Sequence, residues 1–262
     1  MVFGKQARLS RLLENGRMLC IPLDHGTSLG PVKGLENIED LIYRLESAGV
    51  TAVLAHKGVF RSLKRPLKTG AIMHMSASTQ LSTHYNRKIL VASVEEALRL
   101  GVDAVSVHIN IGGVDDDIML EQLGLVADAC DEWQLPLIAM MYPRGENIKN
   151  PSDPEVISHV SRVGAELGAD IVKTPMPSAN IQEIELVTKR CPVPVVAAGG
   201  PKMERDEDVL RLAYASVAGG CIGITFGRNV FQHKSPESIV KALRRIVIEG
   251  LSVEEALPVL TP

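Results

Sequence analysis

A closed (β/α)8 barrel is the fold class this sequence predicts, and three observations predict it. Eight short apolar, β-rich runs recur along the 262 residues. Helix patterns lie between most of them, and no linker-like stretch interrupts the alternation. The whole chain, 1–262, reads as one barrel domain, because α/β barrels reach this length as a single unit. The rival is an open doubly wound sheet, whose GxGxxG fingerprint is missing.

The strands read in order as "MLCIPLDHG" (18–26), "AVLAHKG" (52–58), "AIMHMSAS" (71–78), "AVSVHIN" (104–110), "PLIAMMYP" (136–143), "IVKTPM" (171–176), "VPVVAAGG" (193–200) and "IGITFGRN" (222–229). Most are apolar on both faces, as strands covered on both sides should be. The helix over 37–49 places apolar residues at 38, 41, 42 and 45 and stops at Gly49. The one over 93–101 opens on a Ser cap and an acidic first turn and stops at Gly101. Further helices are predicted over 119–134, 153–168, 180–190, 206–220 and 235–250, with a short Ser-capped one over 252–260. One unit is irregular: "VFRSLKRPLKTG" (59–70) is too basic and Pro-broken for a good helix and reads as a loop.

Composition excludes several classes of function. A net charge of -3 gives no polyelectrolyte signature, and 3% aromatics cannot build a base-stacking surface, so nucleic acid is not the expected partner. Cys20, Cys130, Cys191 and Cys221 lack CxxC spacing, which points to reduced thiols in a cytoplasmic protein, not to disulfides or zinc. The first residues carry no signal-type apolar region and no run is long enough to span a membrane, so no membrane association is expected.

In a barrel of this kind chemistry sits at the carboxyl ends of the strands. There the sequence turns polar: Asp24, His25, Lys57, Ser76, His108, Asn110, Tyr142, Arg144, Lys173, Gly199, Gly200, Gly227 and Arg228. If Lys173 points into the barrel, desolvation favours its neutral amine, which can attack a ketone; otherwise it is a snorkelling or ion-paired lysine. Tyr142, on the neighbouring strand, is either a proton donor and acceptor or a rim residue. Asp24 is either a base paired with Lys173 or a loop and capping residue. Gly199, Gly200 and Gly227 let the backbone approach a phosphate after strands 7 and 8, with Arg228 adding a charged fork. Lys57 is open among a second catalytic group, a charge acting on Lys173, an anion contact and a salt bridge to Asp24. The basic residues Arg61, Lys64, Arg65 and Lys68 either attract an anionic substrate or form a solvated loop. His56, His74 and His108 are the natural zinc candidates. His56 and Lys57 point oppositely, His74 falls short of its strand end and no HxH or HExxH occurs, so no metal is expected.

"PLDHGTSLGP", "HKG", "AVSVHIN", "LPLIAMMYPRG", "GAELGADIVKT", "PVVAAGGPK" and "GRNVFQH" together resemble the DeoC/FbaB family of class I aldolases over roughly residues 8–258. They look closest to its branch of 2-amino-3,7-dideoxy-D-threo-hept-6-ulosonate synthases. The resemblance implies Lys173 as Schiff-base nucleophile, Tyr142 as proton donor and Asp24 as base, with a covalent lysine imine and no other cofactor. It implies sugar-phosphate contacts from Asp24, His25, Gly26, Thr27 and Ser28, from Tyr142, Pro143 and Arg144, and from Gly199, Gly200, Gly227 and Arg228. His108 and Lys57 join the expected substrate-binding set. The implied partners are a phosphorylated keto-sugar and an aldehyde acceptor, L-aspartate semialdehyde, on an alternative route to aromatic amino acids. A homo-oligomer is also expected. Alternatives are a dihydroxyacetone-phosphate aldolase, either condensing with aspartate semialdehyde toward an aminohydroxybenzoate or cleaving fructose 1,6-bisphosphate. A metal-dependent barrel enzyme and a non-catalytic phosphate-binding module are the further rivals. "MSASTQLSTHYN" (75–86) departs from the branch, where a Gly-rich stretch is expected.

Overall fold

Eight parallel strands close on themselves in a computed structural model that describes residues 3–260. We number the barrel strands β1 (Met18–Pro22), β2 (Ala52–His56), β3 (Gly70–His74), β4 (Ala104–Ile111), β5 (Leu137–Pro143), β6 (Ile171–Pro175), β7 (Val195–Ala198) and β8 (Gly223–Thr225). Each pairs with its sequence neighbours, and β8 returns to β1 with Met18 opposite Gly223. A Cβ on Gly223 would lie 1.9 Å from the Met18 carbonyl oxygen, so this closing contact needs glycine.

Side-chain alternation divides the core in two. One set, including Val53, Val105, Val107, Val172 and Ile224, faces outward and packs under the helices. The other, including Met18, Cys20, Leu54, Ile72, Ile138, Met140 and Ile171, fills the barrel. The helices on the outside are built as their sequences dictate. Ser93 accepts from the Glu96 N–H, Asn180 from the Gln182 N–H, and Gly49 and Gly101 end their helices in the left-handed conformation. Ser252 and Glu255 form a reciprocal capping box.

Four features depart from the sequence expectation. A helix over Phe3–Leu12 lies beneath the barrel, and its Leu12 joins the interior cluster as a floor. The segment 59–70 is not loop throughout, since a helix runs Lys57–Ser62. The predicted third strand stops at His74, and Ser76–Ala77 pairs instead with Ile89–Leu90 as a separate antiparallel ribbon. The helix expected from 119 begins at Asp116, where two acidic residues fill its first turn. No helix among the described residues is long and apolar enough to cross a membrane.

Candidate active site

At the carboxyl ends of the strands the barrel interior opens into a cavity of about 710 Å³, within the size range of small-ligand sites. Its wall continues the inward-facing register one layer above the apolar filling. Met140 is opposite both His108 and Lys173, and Tyr142 follows two residues later, so Tyr142 and Lys173 share the inner face. His56, His74 and Thr225 extend the same layer around the barrel.

Lys173 is 5% exposed. Among the described residues its Nζ makes no hydrogen bond and has no carboxylate within 4.0 Å. A buried amine without a partner is costly, and it is held here by strand register. Asp24 also lines the cavity. It occupies the N-cap position of a short helix, His25–Leu29, yet its side chain makes no capping hydrogen bond. Burial alone would raise its pKa; the neighbouring charges of His74, His25 and Lys173 outweigh that and keep it well below the usual carboxylate range. The direct Asp24–Lys173 pair considered from sequence is not formed; the close neighbours of the carboxylate are His25 Nδ1 at 3.5 Å and His74 Nε2 at 3.8 Å. Tyr142 stacks on His108 with ring centroids 4.7 Å apart, and among the described residues its hydroxyl is free of hydrogen bonds.

His74 is 4% exposed, bonds Ser106 Oγ through Nδ1 at 2.8 Å, and is pushed down to about 3 by burial, although Asp24 pulls the other way. It is therefore neutral at pH 7. Burial likewise lowers His108, with the Lys88 charge second. These histidines have a measurable consequence. An unfolded histidine takes a proton below about pH 6.5, whereas folded His74 refuses it until about pH 3. Stability is complete above pH 6.5 and is lost as pH falls through that window. We expect His74→Gln to shrink the drop in unfolding free energy between pH 7 and pH 5 by about 2 kcal/mol. Urea melts at the two pH values check this; an unchanged drop would mean His74 does not titrate on unfolding in that range.

The expected phosphate side is assembled by the loops after β7 and β8. Gly199, Gly200, Gly227 and Arg228 all line the cavity. Gly200 has φ +64°, a conformation that favours glycine. A Cβ on Gly227 would meet His25 Cε1 at 2.7 Å. Gly227 precedes a single turn of helix, Arg228–Phe231, whose first N–H groups have no partner within it. Asn229, absent from the sequence candidates, ties the two loops together: its Nδ2 donates to Gly199 O at 2.9 Å and its Oδ1 accepts from Met203 N at 2.7 Å.

His25, Ser28, His108, Pro143 and Arg144 also reach the cavity. Gly26 and Thr27 do not; they line a second cavity of about 430 Å³ behind the helix His25–Leu29. Lys57 is not at a strand tip. It opens the helix Lys57–Ser62 and is bound to Val91 O at 2.6 Å and Glu96 at 3.1 Å, outside the cavity lining and away from Asp24. Three of the four basic residues after it are paired in the same way, Arg61 with Glu96, Lys64 with Glu39 and Arg65 with Glu46. Sequence reasoning undervalued His74, which ends β3 and lines the cavity, and missed Lys88, which enters from the ribbon after β3. Among the described residues no three His, Cys, Asp or Glu side chains are grouped to hold a metal ion.

A barrel with an unpaired lysine, a phenol and a carboxylate facing one cavity defines an enzyme site suited to carbonyl chemistry. Residues 18–233 match the family model described as DeoC/LacD family aldolase, and the chain belongs to that family. It is 40% identical to 2-amino-3,7-dideoxy-D-threo-hept-6-ulosonate synthase 1 of Archaeoglobus fulgidus, over 98% of this chain and 95% of that one. It is 38% identical to 2-amino-4,5-dihydroxy-6-oxo-7-(phosphonooxy)heptanoate synthase of Streptomyces griseus, over 94% and 90%. Among solved structures it is similar to an archaeal fructose-1,6-bisphosphate aldolase whose catalytic lysine carries the carbinolamine intermediate. The TM-score is 0.86 at 27% identity, covering 93% of this chain and 99% of the other.

Proposed function

We propose that the protein is a Schiff-base aldolase or transaldolase that takes a fragment of a phosphorylated keto-sugar and joins it to an aldehyde acceptor, L-aspartate semialdehyde. The observation that carries this reading is Lys173, a buried lysine with no carboxylate in contact among the described residues, on the inner face shared with Tyr142. Lys173 Nζ, as the neutral amine after giving up a proton to solvent, attacks the ketone carbon, and loss of water from the carbinolamine leaves an iminium. Cleavage of the adjacent C–C bond sends its electron pair into the iminium, giving an enamine and releasing an aldehyde. The enamine carbon then adds to the acceptor carbonyl, and hydrolysis frees the lysine. Tyr142 gives a proton to the carbinolamine hydroxyl and to the forming alkoxide; Asp24 takes the proton of the hydroxyl that becomes the departing carbonyl. Gly199, Gly200, Gly227 and Arg228 hold a phosphate, as their lining of one wall supports.

Both named relatives make a seven-carbon acid, which supports a carboxylate-bearing acceptor over cleavage of fructose bisphosphate. The four buried, free cysteines support a cytoplasmic protein, and a homo-oligomer completes the proposal. Borohydride reduction followed by intact-mass and peptide analysis tests the reading, with dihydroxyacetone phosphate, fructose 1,6-bisphosphate and 6-deoxy-5-ketofructose 1-phosphate as donors. The expected result is an adduct on Lys173 with at least one donor. Folded protein that traps none of them overturns it.

A further inference from the structure

The cavity holds more positive charge than imine chemistry uses. Lys88, Arg144, Lys173 and Arg228 line it, against Asp24 as the one carboxylate. The chain as a whole is negative, so this concentration is local. Lys173 has its role in the imine and Arg228 belongs to the wall after β8. Lys88 has no assigned task.

Lys88 is 8% exposed and lines the cavity. Its Nζ donates to Ser78 Oγ and, at 3.4 Å, to Tyr85 O; both are neutral acceptors, and among the described residues no carboxylate lies within 4.0 Å. An ammonium has three donors, so one remains. Burial first, then the Arg144 guanidinium, push its pKa down to about 8, against the pull of Asp24. Arg144 lines the same cavity, and its charge also lowers the pKa of Arg228, second to burial among the lowering causes.

The segment carrying Lys88 is built to hold it there. The ribbon pairs Ser76 with Leu90 and Ala77 with Ile89. Met75 N bonds Ser106 O, and Val91 N bonds Met75 O, fixing the base of the ribbon to the barrel. Gln80 N bonds Ser28 O across the cavity mouth, Asn110 Nδ2 donates to Asn86 O at 2.6 Å, and Lys88 N points at Met119 Sδ. In the closed strand order, β3 and β4 lie opposite β7 and β8. Lys88, entering after β3, therefore faces the glycine wall from the other side of the barrel, with Lys173 on an intervening strand.

We propose that Lys88, assisted by Arg144, is the specificity-determining subsite for an anionic group on the aldehyde partner, a carboxylate or a phosphate. The inference rests on the Schiff-base reading and deepens it. A molecule held at both walls presents an anion at each end, with its reacting carbonyl between them at Lys173. An aldehyde without an anion leaves Lys88 buried and unsatisfied, and the site discriminates against it on that ground.

The test is Lys88→Met, which keeps the length and removes the charge, with Lys88→Arg as the charge-retaining control. Turnover is measured with a donor that traps on the wild type and three acceptors: L-aspartate semialdehyde, D-glyceraldehyde 3-phosphate and uncharged glycolaldehyde. The methionine variant is expected to trap the donor as the wild type does. Its kcat/KM should fall about 10- to 100-fold with the anionic acceptor preferred by the wild type and stay within about threefold with glycolaldehyde. The arginine variant should recover part of the loss. The first two acceptors decide between carboxylate and phosphate. Equal losses with all three acceptors, or no loss, overturn the assignment. If the wild type traps no donor, the imine reading has failed by itself. The subsite is then judged by calorimetry with L-aspartate semialdehyde and glyceraldehyde 3-phosphate. Binding of either that is weakened in Lys88→Met sustains it, and equal or absent binding rejects it.

Discussion

Replacing Lys173 by methionine abolishes turnover, lowering kcat by about 10⁴-fold or more, because the covalent route has no substitute on this face. Three further readouts distinguish this from simple damage. Borohydride trapping disappears, while binding of the phosphorylated donor survives, because the glycine wall is built from other strands. The melting temperature stays level or rises. Lys173 is a buried polar group with no hydrogen bond and no contacting carboxylate among the described residues, so a methionine of similar length relieves an unfavourable burial. A variant that loses activity and also melts far lower would make Lys173 a structural residue. Lys57→Met is the matched control. Its charge is satisfied by Glu96 and Val91 O outside the cavity, so kcat and trapping stay within about twofold of wild type, and the loss of a half-exposed ion pair costs no more than about 1 kcal/mol.

The contrast between these two lysines shows what could be read from the sequence. Both end an apolar run after a Gly-containing turn. Lys173 is followed by two more strand residues, so the period of two that makes Ile171 inward also makes Lys173 inward. Lys57 is followed by Gly-Val-Phe-Arg, which becomes a helix, and the reversal of chain direction turns its side chain toward Glu96. Only the distant position of Glu96 makes that choice visible. His74 was placed short of its strand end because "AIMHMSAS" reads as one run. The chain leaves the barrel at Met75, whose N–H turns to Ser106 O, and His74 becomes the terminal inward residue. The floor helix Phe3–Leu12 has little apolar character of its own and is fixed by what Leu12 plugs. Lys88 was the least legible. It sits in a polar stretch whose path is set by single hydrogen bonds to Ser28, Asn110 and Ser106, contacts between segments far apart in sequence. Local pattern therefore reported the strands, the caps and the side chains their register turns inward. The excursions between strands answer to tertiary contacts.

Tyr142→Phe should leave the fold and the imine in place while slowing the reaction. The ring stacks on His108 at 4.7 Å and phenylalanine preserves that contact. Removing a hydroxyl without a hydrogen-bond partner leaves no buried group unsatisfied, so the melting temperature moves by less than about 2 °C. The proton it supplies has no equally placed replacement. Asp24 is held ionised and serves as an acceptor, and His74 is neutral and already engaged with Ser106. We expect kcat to fall about 10²- to 10⁴-fold, the usual contribution of a positioned general acid, with the KM for the donor little changed. Because the lysine remains, prolonged incubation with donor and borohydride still labels Lys173. A fall of less than about fivefold would return the proton to another group, with water delivered past Arg144 the first alternative. A complete loss of labelling would make the proton that Tyr142 gives to the carbinolamine hydroxyl the indispensable one, ahead of the C–C bond step. Single-turnover kinetics separate these outcomes, because a variant defective only in bond cleavage accumulates the reducible imine that a defect in its formation would prevent.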